Sequence, residues 1–413
     1  MKYDIVIIGG GLSGLVSGIL LTKAGRKVAI VSSGHSALHF SSGSFGLFGQ
    51  RDGNFVERPL EAIAKLPASH PYSKVGIDAI TDYVKRVKPL FAEAGINTHG
   101  SEERNHYRLT PIGAFKPAWL TIDDYATVGK PDNLPWGKVA IINFNGYLDF
   151  YPSFIAKGLE EAGLSCSLKS FTLPELETLR KSSTEMRAAN IARVIVGDVI
   201  GDVAREVNRL AGDADTVLMP AVIGLFDDEP VKLLREKVDR PLYFVSTQPM
   251  SVGGMRSQIR LRRYFKKLGG TYLLGDSVTN GVAEGDRMMK ISTVNLGDME
   301  LSADYFILAS GSFFSYGIMA NPVSIYEPIF GLDVKAPTTR SEWYHKDIFK
   351  DHAYMKYGVT TDDEFRVMKD GRTLDNMYAV GAVLGGCNSM KEESGAGVAL
   401  MTSMKVVDNI LAR

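Results

Sequence analysis

The chain opens on MKYDIVIIGGGLSGL, a short apolar run followed at once by Gly9, Gly11 and Gly14 in G-x-G-x-x-G spacing. Few folds tolerate that combination. Residues 4–8 (DIVII) suit a strand buried on both faces. The first glycine permits the tight turn, the second lets a phosphate approach the backbone, and the third lets the next helix pack close to its strand. A helix over 13–24, stopping near Gly25, then leads into a second strand, KVAIVS. The resulting β-α-β unit offers unpaired N–H groups and a partial positive charge to a pyrophosphate. The alternative is a glycine-rich turn that serves packing alone.

Ser32 complicates this reading. The second strand of such a unit normally ends in an acid that holds a ribose hydroxyl pair. A serine can still donate or accept a hydrogen bond, but it clamps a ribose more weakly. Either a dinucleotide is held by other groups, or the adenosine half is absent and a mononucleotide binds. Ser32 otherwise reads as a plain strand-end residue.

With 413 residues the chain has room for two or three domains. The expected fold class is α/β: an FAD/NAD(P)-binding Rossmann-like flavoprotein domain with an inserted α/β second domain. The first domain is expected at 1–50, 251–330 and 355–413, and the inserted substrate or partner domain at 51–250. Strands are expected at VAIINF, VLMP (217–220), LYFVST (242–247), ADYFILASGS (303–312) and NMYAVGAV (376–383). Helices are expected at FIAKGLEEAG, at the basic stretch 255–268 and from Gly395 onward. GVTTDDEFRV (358–367) reads as a hairpin, and the Pro/Gly/Asp-rich stretch 128–137 as a linker.

Lys+Arg 47 against Asp+Glu 47 gives a nucleic-acid partner no electrostatic support. Cys166 and Cys387 lie far apart in sequence, which disfavours a disulfide framework, an iron–sulfur cluster or a cysteine metal site. This usage suits a reducing cytoplasm. Asp4 and the glycines argue against a signal sequence, and no apolar run is long enough for a membrane span.

Several other residues are candidate contacts. HSALHFSSGSFG places Ser41, Ser42 and Gly43 just past the second strand, where small residues let a planar ring come close. His39 is either a flavin-attachment or proton-transfer residue, or a loop histidine bonded to backbone. ILASGS and YAVGAV are apolar strands ending in small residues, so Gly311 and Gly381 are expected close-approach positions. The helix from Gly395 directs a second N-terminus the same way. Arg256 follows Gly253-Gly254 at a helix start, where dipole and guanidinium would both favour phosphate. Arg340 and Lys116 are further candidates for an anionic substrate, and each of the three has a surface-charge alternative. TEMRAANIAR (184–193) alternates charge on helical spacing, as a solvated face or interface does.

Stretches such as SALHFSSGS, LTPIGAFKPAWL, TEMRAANIAR, LMPAVIGL, SGSFFS, EPIFGLDV, TTRSEWY, YGVTTDDEFR and VGAVLGG carry a further likeness. Over nearly its whole length the chain resembles the B-subunit family of the anaerobic, quinone-linked glycerol-3-phosphate dehydrogenases, and more distantly the fumarate reductase-type flavoproteins. The resemblance implies oxidation of sn-glycerol 3-phosphate to glycerone phosphate, with electrons passing to menaquinone and then fumarate or nitrate. It implies FMN as cofactor, with FAD as rival. Its implied partners are a catalytic FAD subunit and a membrane-associated iron–sulfur subunit, which would hold a cytoplasmic chain peripherally at the inner membrane. Hydride would leave C2 for flavin N5 while a base, His39 among the candidates, takes the hydroxyl proton. Ala382 departs from the wider flavoprotein pattern, where an acid commonly follows that glycine. Ser32 and Ala382 together keep open a non-catalytic interaction or assembly subunit with a degenerate nucleotide-binding fold. A stand-alone NAD(P)H oxidoreductase would need a second glycine motif, which the sequence does not supply.

Overall fold

The computed structural model describes residues 1–181 and 185–413. It divides into two compact units, Met1–Ala37 with Gly46–Ala94 and Leu261–Arg413, and Leu38–Phe45 with Gly95–Arg260.

The first unit is built on a parallel sheet in the order Thr271–Leu274, Val28–Ser32, Lys2–Ile8, Leu301–Leu308, Arg372–Ala379. Its central strands are apolar and buried along their length, with Ile5 through Ile8 all at 4 % exposure or less. Such strands need cover on both faces. Part of that cover is the helix Leu12–Lys23, which packs on the closing helix Gly395–Leu411. Gly18 brings it close to the sheet, since a Cβ there would sit 2.8 Å from Ile30 Cδ1. At one end of Leu301–Leu308 the sheet continues antiparallel into Arg287–Thr293 and Val278–Glu284, joined by the EGDR turn.

The second unit carries its own parallel sheet, ordered Cys166–Phe171, Val139–Phe144, Thr216–Pro220, Leu242–Val245. Helices Pro152–Glu161, Val199–Ala211 and Glu229–Lys237 alternate with these strands, as parallel pairing requires a crossover. Two small antiparallel sheets accompany it, one of which pairs Ser44–Phe45 with Leu120–Ile122.

Three expectations are corrected. Residues 51–94 and 331–354 cluster with the first unit, not with an inserted domain or outside both, whereas 38–45 and 251–260, expected in the first domain, cluster with the second. The reason for 51–94 is a pair of bonds to the closing segment: His70 Nε2 donates to Glu392 Oε2 at 3.2 Å, and Tyr83 Oη donates to Asp408 at 2.7 Å. The stretch 128–137 lies inside the second unit and so is no interdomain linker. The hairpin is displaced: Arg366–Lys369 pairs with Arg372–Ala379 around Asp370 and Gly371, both at positive φ. Within 358–367 only the single antiparallel bridge Thr361–Val367 forms among the described residues. Thr184 lies outside the described residues, and the rest of its stretch contributes the helix Ala188–Val194.

Candidate functional site

In the first unit the three motif glycines serve different ends. Gly9 has φ +116°, and a Cβ there would stand 2.2 Å from the Ala309 carbonyl oxygen. At Gly14 a Cβ would stand 1.9 Å from the Gly9 oxygen. These two positions are demanded by the fold. Gly11 is not: its Cβ would meet only Ser36, with Cβ at an ordinary 3.5 Å. Gly11 is also the N-cap of Leu12–Lys23, with no side-chain cap bond and no acid in the first turn. That helix therefore presents bare N–H groups and a partial positive charge beside an open backbone surface. Nearby, Ser310 Oγ at the end of Leu301–Leu308 is buried with no hydrogen-bond partner among the described residues. These features fit the pyrophosphate of a flavin dinucleotide.

Ser32 is 4 % exposed, and its Oγ donates to the Gly34 carbonyl at 3.1 Å. Tyr272 comes from the neighbouring strand, and its Oη donates to the Gly10 carbonyl at 3.4 Å. A Cβ on Gly10 would meet both side chains, so Gly10, Ser32 and Tyr272 pack as one group. Gly311 (φ +86°) begins a tight turn, where a Cβ would press on Ser315. Gly381 (φ +74°) approaches protein: its N–H donates to Thr402 Oγ1 at 3.0 Å, and a Cβ would stand 2.1 Å from Ser13 Oγ. Ala382 is exposed in the turn that follows. Gly395 opens the closing helix in space that tolerates a side chain, 3.7 Å from Ser389 Cβ. The side chain of its N-cap, Ser394, makes no capping bond, and the Gly397 N–H in its first turn donates to the Gly46 carbonyl at 2.8 Å. Ser403 Oγ donates to the Ser13 carbonyl at 3.1 Å, which ties this helix to the first turn of Leu12–Lys23. Arg340 is exposed in a short turn.

In the second unit His39 is buried, with Nδ1 3.1 Å from Gln258 Oε1. Ser41 Oγ is buried and has no hydrogen-bond partner among the described residues, Ser42 is half-buried, and the Gly43 carbonyl accepts from the Ile122 N–H at 3.0 Å. The pair Gly253-Gly254 is explained by packing. A Cβ on Gly253 would meet Tyr125 Oη at 2.2 Å, and one on Gly254 the Ser41 oxygen at 2.6 Å. That helix start is thus covered by protein. Arg256 is 3 % exposed and donates through Nη2 to the Ile223 carbonyl at 3.2 Å and, more weakly, to Asp124 at 3.5 Å. Its Nε has no partner among the described residues, and it lines a cavity of 190 Å³ with Lys232 and Arg235. Lys116 is exposed on the strand Phe115–Ala118.

Sequence reading missed a junction in the first unit. His70 Nδ1 accepts the Tyr72 N–H at 3.1 Å, so the neutral ring carries its proton on Nε2, which donates to Glu392 Oε2 at 3.2 Å. Cys387 lies beside them, its thiol pushed up to about 12 by burial and by the Glu392 charge. Ligand atoms of the three lie within 4.8 Å of one another, the one such group among the described residues. Histidine and carboxylate are bonded to each other, and the thiol is held protonated. The group therefore reads as a hydrogen-bonded junction of two loops. No short motif announces it, because its members are separated by up to 322 residues. No helix among the described residues is long and apolar enough to cross a membrane.

Comparison with known proteins agrees with this architecture. The family model described as "FAD binding domain" matches residues 4–398. The anaerobic glycerol-3-phosphate dehydrogenase B-subunit of Yersinia pestis bv. Antiqua is 40 % identical over 418 residues, covering 100 % of this chain and 99 % of that one. Its namesake from Pectobacterium carotovorum is 38 % identical over 416 residues, with the same coverage. Among solved structures, 3-ketosteroid delta1-dehydrogenase from Sterolibacterium denitrificans aligns over 100 % of this chain and 99 % of its own, at 11 % identity and a TM-score of 0.46. The cofactor class is a flavin, and the family description gives no support to FMN. The chain belongs to the FAD-binding-domain flavoproteins and, among them, to the B-subunit family of the anaerobic glycerol-3-phosphate dehydrogenases.

Proposed function

We propose that this chain is the FAD-carrying subunit of a complex that oxidises sn-glycerol 3-phosphate to glycerone phosphate and passes the electrons to a quinone, with fumarate or nitrate as final acceptors. The observation that carries FAD is the open backbone at Gly11 beside an uncapped helix N-terminus. A pyrophosphate uses both features, and FMN has no pyrophosphate. Ser32, turned inward onto the Gly34 carbonyl, leaves the adenosine ribose to other groups. When bound, the flavin supplies a hydride acceptor.

The chain's own residues supply the rest. Gly9, Gly11 and Gly14 shape the phosphate turn. Gly311, Gly381 and the helix start at Gly395 shape the neighbouring strand ends. Ser41, Ser42 and Gly43 are small enough to admit a ring. His39, oriented by Gln258, is proposed to take the hydroxyl proton. Arg256, Arg340 and Lys116 are the cations first expected to meet an anionic substrate, and burial of Arg256 against Asp124 weakens its case. Partner subunits are proposed to carry electrons onward and to hold the chain at the membrane. The segment 314–349 exposes Phe314, Tyr316, Val323, Ile348 and Phe349, the last at 92 %, in keeping with a partner contact.

The test is to purify the chain, release its ligand by heat and identify it by mass, then add glycerol 3-phosphate without oxygen to the flavin-loaded complex. FAD at about one per chain, and bleaching of the flavin band, are the expected results. A colourless chain that takes up neither FAD nor FMN would favour the assembly-subunit reading instead.

A further inference from the structure

The first unit contains a second concavity, of 750 Å³, whose lining includes no residue of the glycine motif. That lies within the range of roughly 300–1,000 Å³ typical of small-molecule sites. Its lining includes Lys74, Lys335 and Lys356 and no aspartate or glutamate. Pro71, Phe365 and Leu384 give it an apolar wall. The walls are set by backbone contact: a Cβ on Gly358 would stand 2.3 Å from the Gly385 nitrogen, and one on Gly386 2.1 Å from the Ser69 oxygen.

Lys74 is fixed in place. Its ammonium donates to the Thr361 carbonyl at 2.8 Å, Thr361 Oγ1 at 3.1 Å and the Asp362 carbonyl at 3.3 Å. It therefore contributes charge and no further hydrogen bond. Burial lowers its pKa, and Lys335 adds to that effect against Asp363 and Asp362. The Asp362 carboxylate is itself engaged by Arg366 Nε at 2.7 Å. Lys335 opposes the charge on Lys74, Asp363 and Asp362 act the other way, and an anion among the three lysines adds an opposite charge inside the apolar-walled cavity. Lysine ammonium groups are compact, strongly hydrated point charges of the kind that hold phosphate.

We propose that this cavity binds the phosphate of a small phosphomonoester, with Lys335 and Lys356 reaching the anion and Lys74 supplying a fixed charge behind them. Its identification with glycerol 3-phosphate rests on the function proposed above; the anion site does not.

The experiment uses the flavin-loaded complex with Lys335→Gln, Lys356→Gln and the double variant. Flavin content, KM and kcat for glycerol 3-phosphate, and binding of inorganic phosphate by calorimetry are measured on each. The double variant is expected to keep its flavin, raise KM by about tenfold or more with a smaller change in kcat, and lose phosphate binding. An unchanged KM and unchanged phosphate binding with flavin retained would overturn the site. Loss of flavin in the variants would also overturn it, since the lysines would then serve the cofactor's own phosphate. Absence of phosphate binding in the unmodified complex would do the same. Should the unmodified complex fail to oxidise glycerol 3-phosphate yet bind phosphate through these lysines, the site stands and the functional reading falls.

Discussion

Gly11→Val is expected to empty the chain of flavin while leaving its stability nearly unchanged, and Gly14→Val to destabilise the fold. The contrast comes from what a Cβ would touch. At Gly11 the backbone is extended (φ −81°, ψ −170°), which a β-branched residue adopts freely, and the nearest neighbour is Ser36 Cβ at 3.5 Å. Nothing in the protein objects to a side chain there; only a ligand pressed on that backbone would. At Gly14 the neighbours are the Gly9 oxygen at 1.9 Å and Ile7 Cγ2 at 3.3 Å. A carbonyl bonded into the strand–turn backbone cannot step aside as a flexible side chain can, so the helix must lift from the sheet. Overpacking of this kind costs about 1–3 kcal/mol and sometimes more, a large share of a marginal total. Gly395→Ala serves as a control, since its nearest neighbour is 3.7 Å away. The measurements are the flavin-to-protein absorbance ratio and the thermal midpoint of each variant. Flavin retention should fall by about tenfold or more in Gly11→Val at a nearly unchanged apoprotein midpoint. A Gly11→Val chain that keeps its flavin would show that the turn does not face the cofactor.

The glycine motif was legible because its physics is local. A strand, a turn and a helix lie within one short stretch, and Gly9 and Gly14 meet each other there. The strands ending near Gly311 and Gly381 were legible for the same reason, as apolar runs closed by small residues. Their purpose was less so. Gly381 makes room for Ser13, which is 368 positions away in the chain by the difference of the two residue numbers. Gly253-Gly254 read as a phosphate-binding helix start, whereas Tyr125 and Ser41 fill that space. Spacing alone cannot distinguish a glycine that admits a ligand from one that admits another side chain. The lysine cavity was illegible because Lys74, Lys335 and Lys356 sit in three segments that share no motif. Domain limits failed on 51–94 because its charged helices look like an independent stretch, while the bonds that attach it run from His70 to Glu392 and from Tyr83 to Asp408.

Glu392→Ala is expected to destabilise the chain by about 3–5 kcal/mol, because it strands several buried donors at once. The carboxylate accepts from His70 Nε2 at 3.2 Å, the Asn388 N–H at 3.0 Å and Ser394 Oγ at 3.0 Å. His70 is 2 % exposed and Glu392 19 %, so water cannot readily replace the lost acceptor. The same bonds set a pH dependence. Burial by itself raises the Glu392 pKa, but the hydrogen bonds from His70, Asn388 and Ser394 outweigh it and hold the carboxyl below its ordinary value. A carboxyl depressed in the folded state lends stability that is fully present above the ordinary carboxylate pKa and is lost as pH falls through the folded value. Glu392→Gln keeps an acceptor for His70 but cannot titrate. The gap in denaturation midpoint between wild type and Glu392→Gln is therefore expected to narrow from about pH 6 to about pH 3. Because Gly49, Gln50 and the Gly397 N–H join the same region through backbone bonds to Glu392 and Gly46, the loosened loop should exchange amide hydrogens faster than the central sheet. A gap that stays constant over that pH range would mean that the carboxylate's charge does not stabilise the junction, and that its hydrogen-bonded shape alone does.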